Sequence, residues 1–227
     1  MGANPDFLPE TVMKAGHVIL LGDSIFDNGA YIRVREPDVV RQLARRLPDG
    51  WKATLLAVDG AVVDDVYRQL GEVPADATHL VLSVGGNDAL GHIGLLQERA
   101  NAALQTLLRL ADIRDGFARQ YQALVRALVA RELPAVVCTV YEGNLPEPEL
   151  PRAASAALTV FNDVILRTAF VAGLSVIDLR LVCDAPEHYA NPIEPSALGG
   201  ERIARAIAHA VTGNEARPGR TVVFGAC

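Results

Sequence analysis

The chain has 227 residues, half of them hydrophobic and 21% charged, which suits one globular domain with a sizeable core and excludes intrinsic disorder. Acidic residues outnumber basic ones, 27 against 21, for a formal charge of −6; this argues against nucleic acid or an anionic membrane surface as the main partner, because both select a basic face. No apolar run approaches the roughly 18 residues of a membrane span, and Met1–Phe7 carries acid and no hydrophobic signal segment, so the expectation is a single domain over 1–227, with 1–15 and 213–227 peripheral, in the cytoplasm.

His17–Leu21 is a short apolar run that stops at Gly22, the pattern of a buried strand. Pro37 is expected to open a helix with Val39, Val40, Leu43, Ala44 and Leu47 at helical spacing, ended by Pro48-Asp49-Gly50. Trp51–Val58 reads as a second strand, Val62, Val66 and Leu70 as a short helix, and Leu80–Val84 as a third strand that stops at Gly85-Gly86. The apolar stripe Phe117, Tyr121, Leu124, Val125 and Leu128 marks a helix before the fourth strand, Ala135–Val140. A proline-rich loop (Pro146, Pro148, Pro151) leads to a long amphipathic helix over Ala153–Val171, then a fifth strand, Leu174–Asp178. Ser196 suits the N-cap of a last helix carrying Ile203, Ala204, Ile207 and Val211, and Thr221–Phe224 reads as a short terminal strand. Continuous apolar strands alternating with amphipathic helices predict a three-layer α/β/α sandwich around a mainly parallel five-stranded sheet, flavodoxin-like in its layers. In such folds, ligands bind beyond the carboxyl ends of the strands.

Each of the first three strands ends in residues suited to acyl-transfer chemistry. Gly22-Asp23-Ser24 follows the first, Asp59-Gly60-Ala61 the second, and Gly85-Gly86-Asn87-Asp88 the third. Alone, Gly-Asp-Ser reads as a helix N-cap, and each glycine as a turn. Together they supply a hydroxyl nucleophile, unobstructed backbone N–H groups at Ser24 and Gly60, and an amide donor at Asn87 for an oxyanion. The second glycine of G-x-S-x-G is missing, so the α/β-hydrolase elbow is not matched.

These three blocks resemble blocks I, II and III of the SGNH hydrolases, also called GDSL esterases/lipases, with the resemblance running from about Val18 to the last helix. It implies the SGNH fold, with Ser24 as nucleophile and the Ser24 N–H, the Gly60 N–H and the Asn87 side chain as oxyanion donors. It also implies a small carboxylic ester, thioester or acetylated sugar as substrate. The family's block V reads D-x-x-H-P; here Asn191-Pro192-Ile193-Glu194-Pro195 stands in its place, with Glu194 at the histidine position and Asn191 at the aspartate position.

Three readings of that exchange stay open. His188 acts as the base, oriented by Asp184 or Glu187; or Glu194 is itself the base, with burial raising its pKa; or the site binds a ligand without turning it over. Among the remaining histidines, His92 is a remote candidate for the base, whereas His17, His79 and His209 suit structural or solvated roles. Glu142 and Asn144 are expected at the rim of the site. Ile93, Leu95 and Leu96 suit either an acyl pocket or the core, and their helical spacing favours the core. Cys138, Cys183 and Cys227 show no metal or disulfide spacing, and no phosphate-binding glycine motif opens a helix, so neither metal nor cofactor is expected.

Overall fold

The computed structural model describes residues 15–97, 102–146 and 149–213. At its centre, strand β1 (His17–Gly22) is buried along its whole length. It pairs in parallel with β2 (Lys52–Leu55) on one side and β3 (His79–Ser83) on the other. β4 (Ala135–Cys138) and β5 (Ser175–Ile177) continue outward from β3, so all five strands run parallel in the order β2-β1-β3-β4-β5. The predicted Thr221–Phe224 strand and Cys227 lie outside the described residues.

Both faces are covered, as a parallel sheet requires. One core cluster joins Ile19, Leu21, Leu80 and Leu82 to α2 (Val66–Gly71), α4 (Ala103–Val129) and α5 (Leu150–Ala172). The other joins Val18, Leu20, Val81 and Val136 to α1 (Val39–Ala44), α6 (Leu179–Val182) and α7 (Ala197–Val211). The fold class is the three-layer α/β/α sandwich expected from the apolar runs. A further short helix, α3 (Gly86–Leu90), follows β3 directly.

The element limits differ from the sequence expectation for local reasons. Asp38 rather than Pro37 caps α1, its carboxylate accepting from the Arg41 N–H at 2.9 Å. β2 ends at Leu55 instead of Val58 because the N–H groups of Leu56 and Ala57 both turn to the Leu20 carbonyl, and an edge strand has no second neighbour to hold it straight. β4 ends early because Asn162 of α5 takes over the ladder: its side chain bonds both the N–H and the carbonyl of Val140, each at 2.8 Å. The predicted Ser196 cap is present, with Ser196 Oγ accepting from the Gly199 N–H at 3.1 Å.

Helix α5 is, over Pro151–Ala172, the one described helix long and apolar enough to cross a membrane, with a mean hydropathy of 1.3. The sequence reads it as a long amphipathic helix over 153–171, with no apolar run of membrane-span length. In the structure Phe161, Val164, Ile165 and Ala169 are buried in the core, while Asp163 and Arg167 pair on its outer side at 2.8 Å.

Candidate active site

The Ser24 turn begins at Gly22, where the chain must do what no residue with a Cβ can. Its φ is +125°, and a Cβ there would lie 1.7 Å from the Ser83 carbonyl oxygen of the neighbouring strand. The Asp23 N–H donates to that same oxygen at 3.1 Å. From α2, the buried Gln69 side chain clamps Gly22 on both sides: Gly22 N–H donates to Gln69 Oε1 at 2.7 Å, and Gln69 Nε2 donates to the Gly22 carbonyl at 2.8 Å. The nucleophile candidate therefore stands on a turn fixed by two neighbouring elements.

The oxyanion-donor candidates sit on the turns after β1, β2 and β3, and of these Ser24 and Asn87 line the cavity. The Ser24 and Gly60 N–H groups donate to no acceptor among the described residues, and Gly60 has a φ of +78°, a left-handed conformation that suits glycine. Asn87 lines the cavity with Ser24 and spends one amide proton on the Ala61 carbonyl at 3.0 Å. That bond ties the third block to the second and leaves one amide proton for a ligand. Asp88, next in chain, accepts from the Val63 N–H at 3.2 Å and so braces the same junction. Its burial raises its pKa to about 6.

The loop that closes the site is held from several directions. Asn191 Oδ1 accepts from the N–H groups of Ile193 and Glu194 at 2.9 and 2.8 Å, so this side chain shapes the loop and does not orient a base. The Asn144 N–H bonds the Pro192 carbonyl at 2.7 Å, the Tyr141 hydroxyl bonds the Ile193 carbonyl, and the fully buried Asn28 donates to the Pro195 carbonyl at 3.3 Å. The result delivers Glu194, 5% exposed, into the cavity with Ser24. Burial raises the Glu194 pKa above the ordinary glutamate value; the nearby Ser24 hydroxyl opposes that, and the charge of Asp59 adds to it. Among the described residues, Glu194 Oε2 has no hydrogen-bond partner. Neighbouring Asp23 is fully enclosed, and burial first, then the charges of Glu194 and Asp88, push its pKa to about 8, against the pull of the Ile25 N–H on its carboxylate.

The structure does not bring His188 to this cavity. It is buried at the end of a 3-10 turn, Pro186–His188, where its Nδ1 accepts from the Ala185 N–H at 3.1 Å and its carbonyl accepts from the Ser196 N–H at 2.9 Å. The neutral ring therefore carries its proton on Nε2. Asp184 Oδ1 lies 3.4 Å from His188 Nδ1 but also 3.2 Å from Arg202 Nη2, and its side chain is exposed. His92 is exposed on the cavity wall. His17 is buried at the opposite end of the sheet, bonded to Asp76 and Thr54. His209 is exposed in the last turn of α7. Of the two rim candidates, Glu142 lines the cavity and accepts from Ser155 Oγ, while Asn144 supports the loop through its backbone.

The cavity itself, about 130 Å³, is walled mainly by apolar side chains. Leu90, Ile93, Leu95 and Leu96 form one side, Leu110 and Ile113 of α4 another, and Leu158 and Phe161 of α5 face them. This corrects the expectation that Ile93, Leu95 and Leu96 belong to the core: Ile93 and Leu96 are 42% and 37% exposed, because the 3-10 segment Ile93–Gln97 stands beside the opening and not under the sheet. Sequence reasoning also missed Gln69, Asn28 and Asn162. The one available signal for Gln69 was a polar residue in the buried phase of a helix, next to Val66 and Leu70. Among the described residues no group of His, Cys, Asp and Glu side chains is placed to hold a metal.

The profile of the GDSL-like lipase/acylhydrolase family matches residues 20–202. No curated protein matches the chain by sequence. Among solved structures, an extracellular lipase from Streptomyces rimosus superposes with a TM-score of 0.64 at 19% identity, covering 87% of this chain and all of that one. A lipase from a goat rumen metagenome gives 0.67 at 17% identity, covering 88% and 99%. An acetyl xylan esterase gives 0.62 at 20% identity, covering 86% and 99%. At these identities the likeness is one of fold.

Proposed function

The chain belongs to the GDSL-like lipase/acylhydrolase family, whose chemistry is ester hydrolysis, and on that premise we propose that it is a serine esterase in which Glu194, not a histidine, takes the proton from Ser24. The observation that carries this reading is the buried Glu194 carboxyl facing the Ser24 hydroxyl in one cavity with Asn87. Ser24 Oγ attacks the ester carbonyl carbon as its proton passes to the Glu194 carboxylate. The Ser24 and Gly60 N–H groups and the free Asn87 amide proton stabilise the oxyanion. Collapse expels the alcohol, which takes the proton back from Glu194, leaving an acyl group on Ser24. Water then attacks the acyl carbonyl, and its proton travels through Glu194 to Ser24 Oγ. A glutamate near its ordinary pKa of about 4.3 is a weak base at pH 7; burial brings it closer to the working pH, where proton transfer in both directions is efficient. The apolar wall supports an ester with an apolar acyl group.

A second reading is favoured by one observation. No acid orients Glu194, since Asn191 is bonded to the backbone, and Oε2 is unpartnered. That arrangement suits a protein that binds an ester or its products without turnover.

A fluorophosphonate probe separates the two. The esterase reading expects covalent labelling at Ser24 that is lost in Ser24→Ala and strongly slowed in Glu194→Gln. A wild-type protein that neither takes up the probe nor hydrolyses p-nitrophenyl butyrate above the buffer rate would favour the binding protein. Labelling that survives Glu194→Gln but disappears in His188→Ala would return the base to His188.

A further inference from the structure

We propose that Asp27 is a positioning residue for the oxyanion, its carboxylate fixing the turn that carries the Gly60 N–H. That role presupposes the esterase reading, which gives this N–H its task.

Gly60 has little packing of its own. It is exposed, and a Cβ built on it would meet no atom within 4 Å. The ladder that could steady it ends early, because β2 stops at Leu55 and the next two N–H groups share the Leu20 carbonyl. Side chains from the two neighbouring turns take hold on either side of it instead. Before Gly60, the Asp59 N–H donates to Asp27 Oδ2 at 3.0 Å. After it, the Ala61 carbonyl accepts from the Asn87 amide, also at 3.0 Å. The peptide joining Asp59 to Gly60, whose N–H is the donor, lies between these two anchors, and that N–H has no acceptor among the described residues.

Asp27 is rooted in the Ser24 turn, where its own N–H donates to the Asp23 carbonyl at 3.2 Å. From the same segment, the Tyr31 hydroxyl donates to Asp59 Oδ2 at 2.6 Å and holds the Asp59 side chain. The next residue, Asn28, serves the other side of the site through the Pro195 carbonyl, beside Glu194. Asp27 and Asn28 thus tie one nucleophile turn to the donor turn and to the base loop. The part of Asp27 is its bond and not its charge, since an anion near a developing oxyanion opposes it. An asparagine keeps an oxygen that can accept from the Asp59 N–H and drops that charge.

The test compares wild type, Asp27→Ala, Asp27→Ser and Asp27→Asn on p-nitrophenyl butyrate, each with its fold checked by circular dichroism. Losing the carboxylate should lower kcat by roughly tenfold in Asp27→Ala and Asp27→Ser, less than the about 10²–10³ for a donor removed outright. KM should stay within about twofold, because ground-state binding does not use the oxyanion donors. Affinity for butyl trifluoromethyl ketone, which adds to the serine as an oxyanion, should fall by the same factor as kcat, while inhibition by butyrate stays unchanged. Asp27→Asn should restore both kcat and ketone affinity. An Asp27→Ala enzyme with the wild-type kcat overturns the proposal, as does an Asp27→Asn enzyme as slow as Asp27→Ala, which would assign the effect to charge. A loss confined to KM and butyrate binding also overturns it. A wild type that neither hydrolyses the ester nor takes up a fluorophosphonate removes the esterase reading itself, and the role of Asp27 with it.

Discussion

The turns after β1 and β3 and the loop segment Ile193–Glu194 line one cavity, and they are built on opposite terms. The turns after β1, β2 and β3 carry the donors that the esterase reading needs: a glycine that admits a close backbone approach at Gly22, N–H groups at Ser24 and Gly60 with no acceptor among the described residues, and a half-spent amide at Asn87. The loop has lost the usual base and its acid, yet it is bound in place by Asn28, Tyr141, Asn144 and Asn191. On the esterase reading, backbone geometry builds the donor side and a single side chain, Glu194, builds the base side, so the two can be altered separately.

Substitutions on the two sides sharpen the contrast. Ser24→Ala should remove hydrolysis of p-nitrophenyl butyrate down to the buffer rate; retained activity would take the nucleophile away from the first turn. Glu194→Gln keeps the shape of the loop and should cost about 10²–10⁴ in kcat, the range for a lost general base. Because the ionised carboxylate is the active form, the wild-type rate should rise with pH through an inflection above the ordinary glutamate range, and Glu194→Gln should abolish that limb. Asn87→Ala should cost about 10²–10³ in kcat, with a rate within threefold of wild type counting against its amide as an oxyanion donor.

Smaller effects are expected where the groups are structural. His188→Ala should leave kcat within a few-fold while lowering stability by about 1 kcal/mol, because the part-buried Ala185 N–H loses its acceptor; urea unfolding measures it. Asp23 gives a pH signature. Its pKa is raised on folding, so the stability present at low pH is lost as pH rises from about 4 in the unfolded chain to about 8 in the folded one. Asp23→Asn should therefore raise the melting temperature relative to wild type near pH 8, and the gain should shrink towards pH 4. A gain that does not vary with pH would mean that Asp23 carries no such shift.

The sheet was legible because buried parallel strands are written as unbroken apolar runs such as His17–Leu21 and Leu80–Val84. Its limits were less so: nothing in Trp51–Val58 announces that an edge strand bends where two N–H groups share the Leu20 carbonyl. At the site, Ser24, Gly60 and Asn87 stood out because each sits at a strand end in a recognisable block. Gln69 and Asn28 did not, since their partners lie 47 and 167 residues away and only folding brings them together. The leucines of the cavity wall were misassigned because helical spacing reports a buried stripe without saying whether protein or an empty cleft lies beneath it. Sequence chemistry favoured His188 as the base; the bond from the Ala185 N–H and the placement of Glu194 in the cavity are tertiary facts.

The two-sided grip of Gln69 on Gly22 also bears on motion. A turn whose preceding residue is held through both its N–H and its carbonyl by a distant helix has no separate local opening of its own. In hydrogen exchange, the Gly22 amide should therefore follow the slow, cooperative release of α2 and not the fast fraying of a surface loop. The alignment of Ser24 would then be only as durable as the seating of that helix.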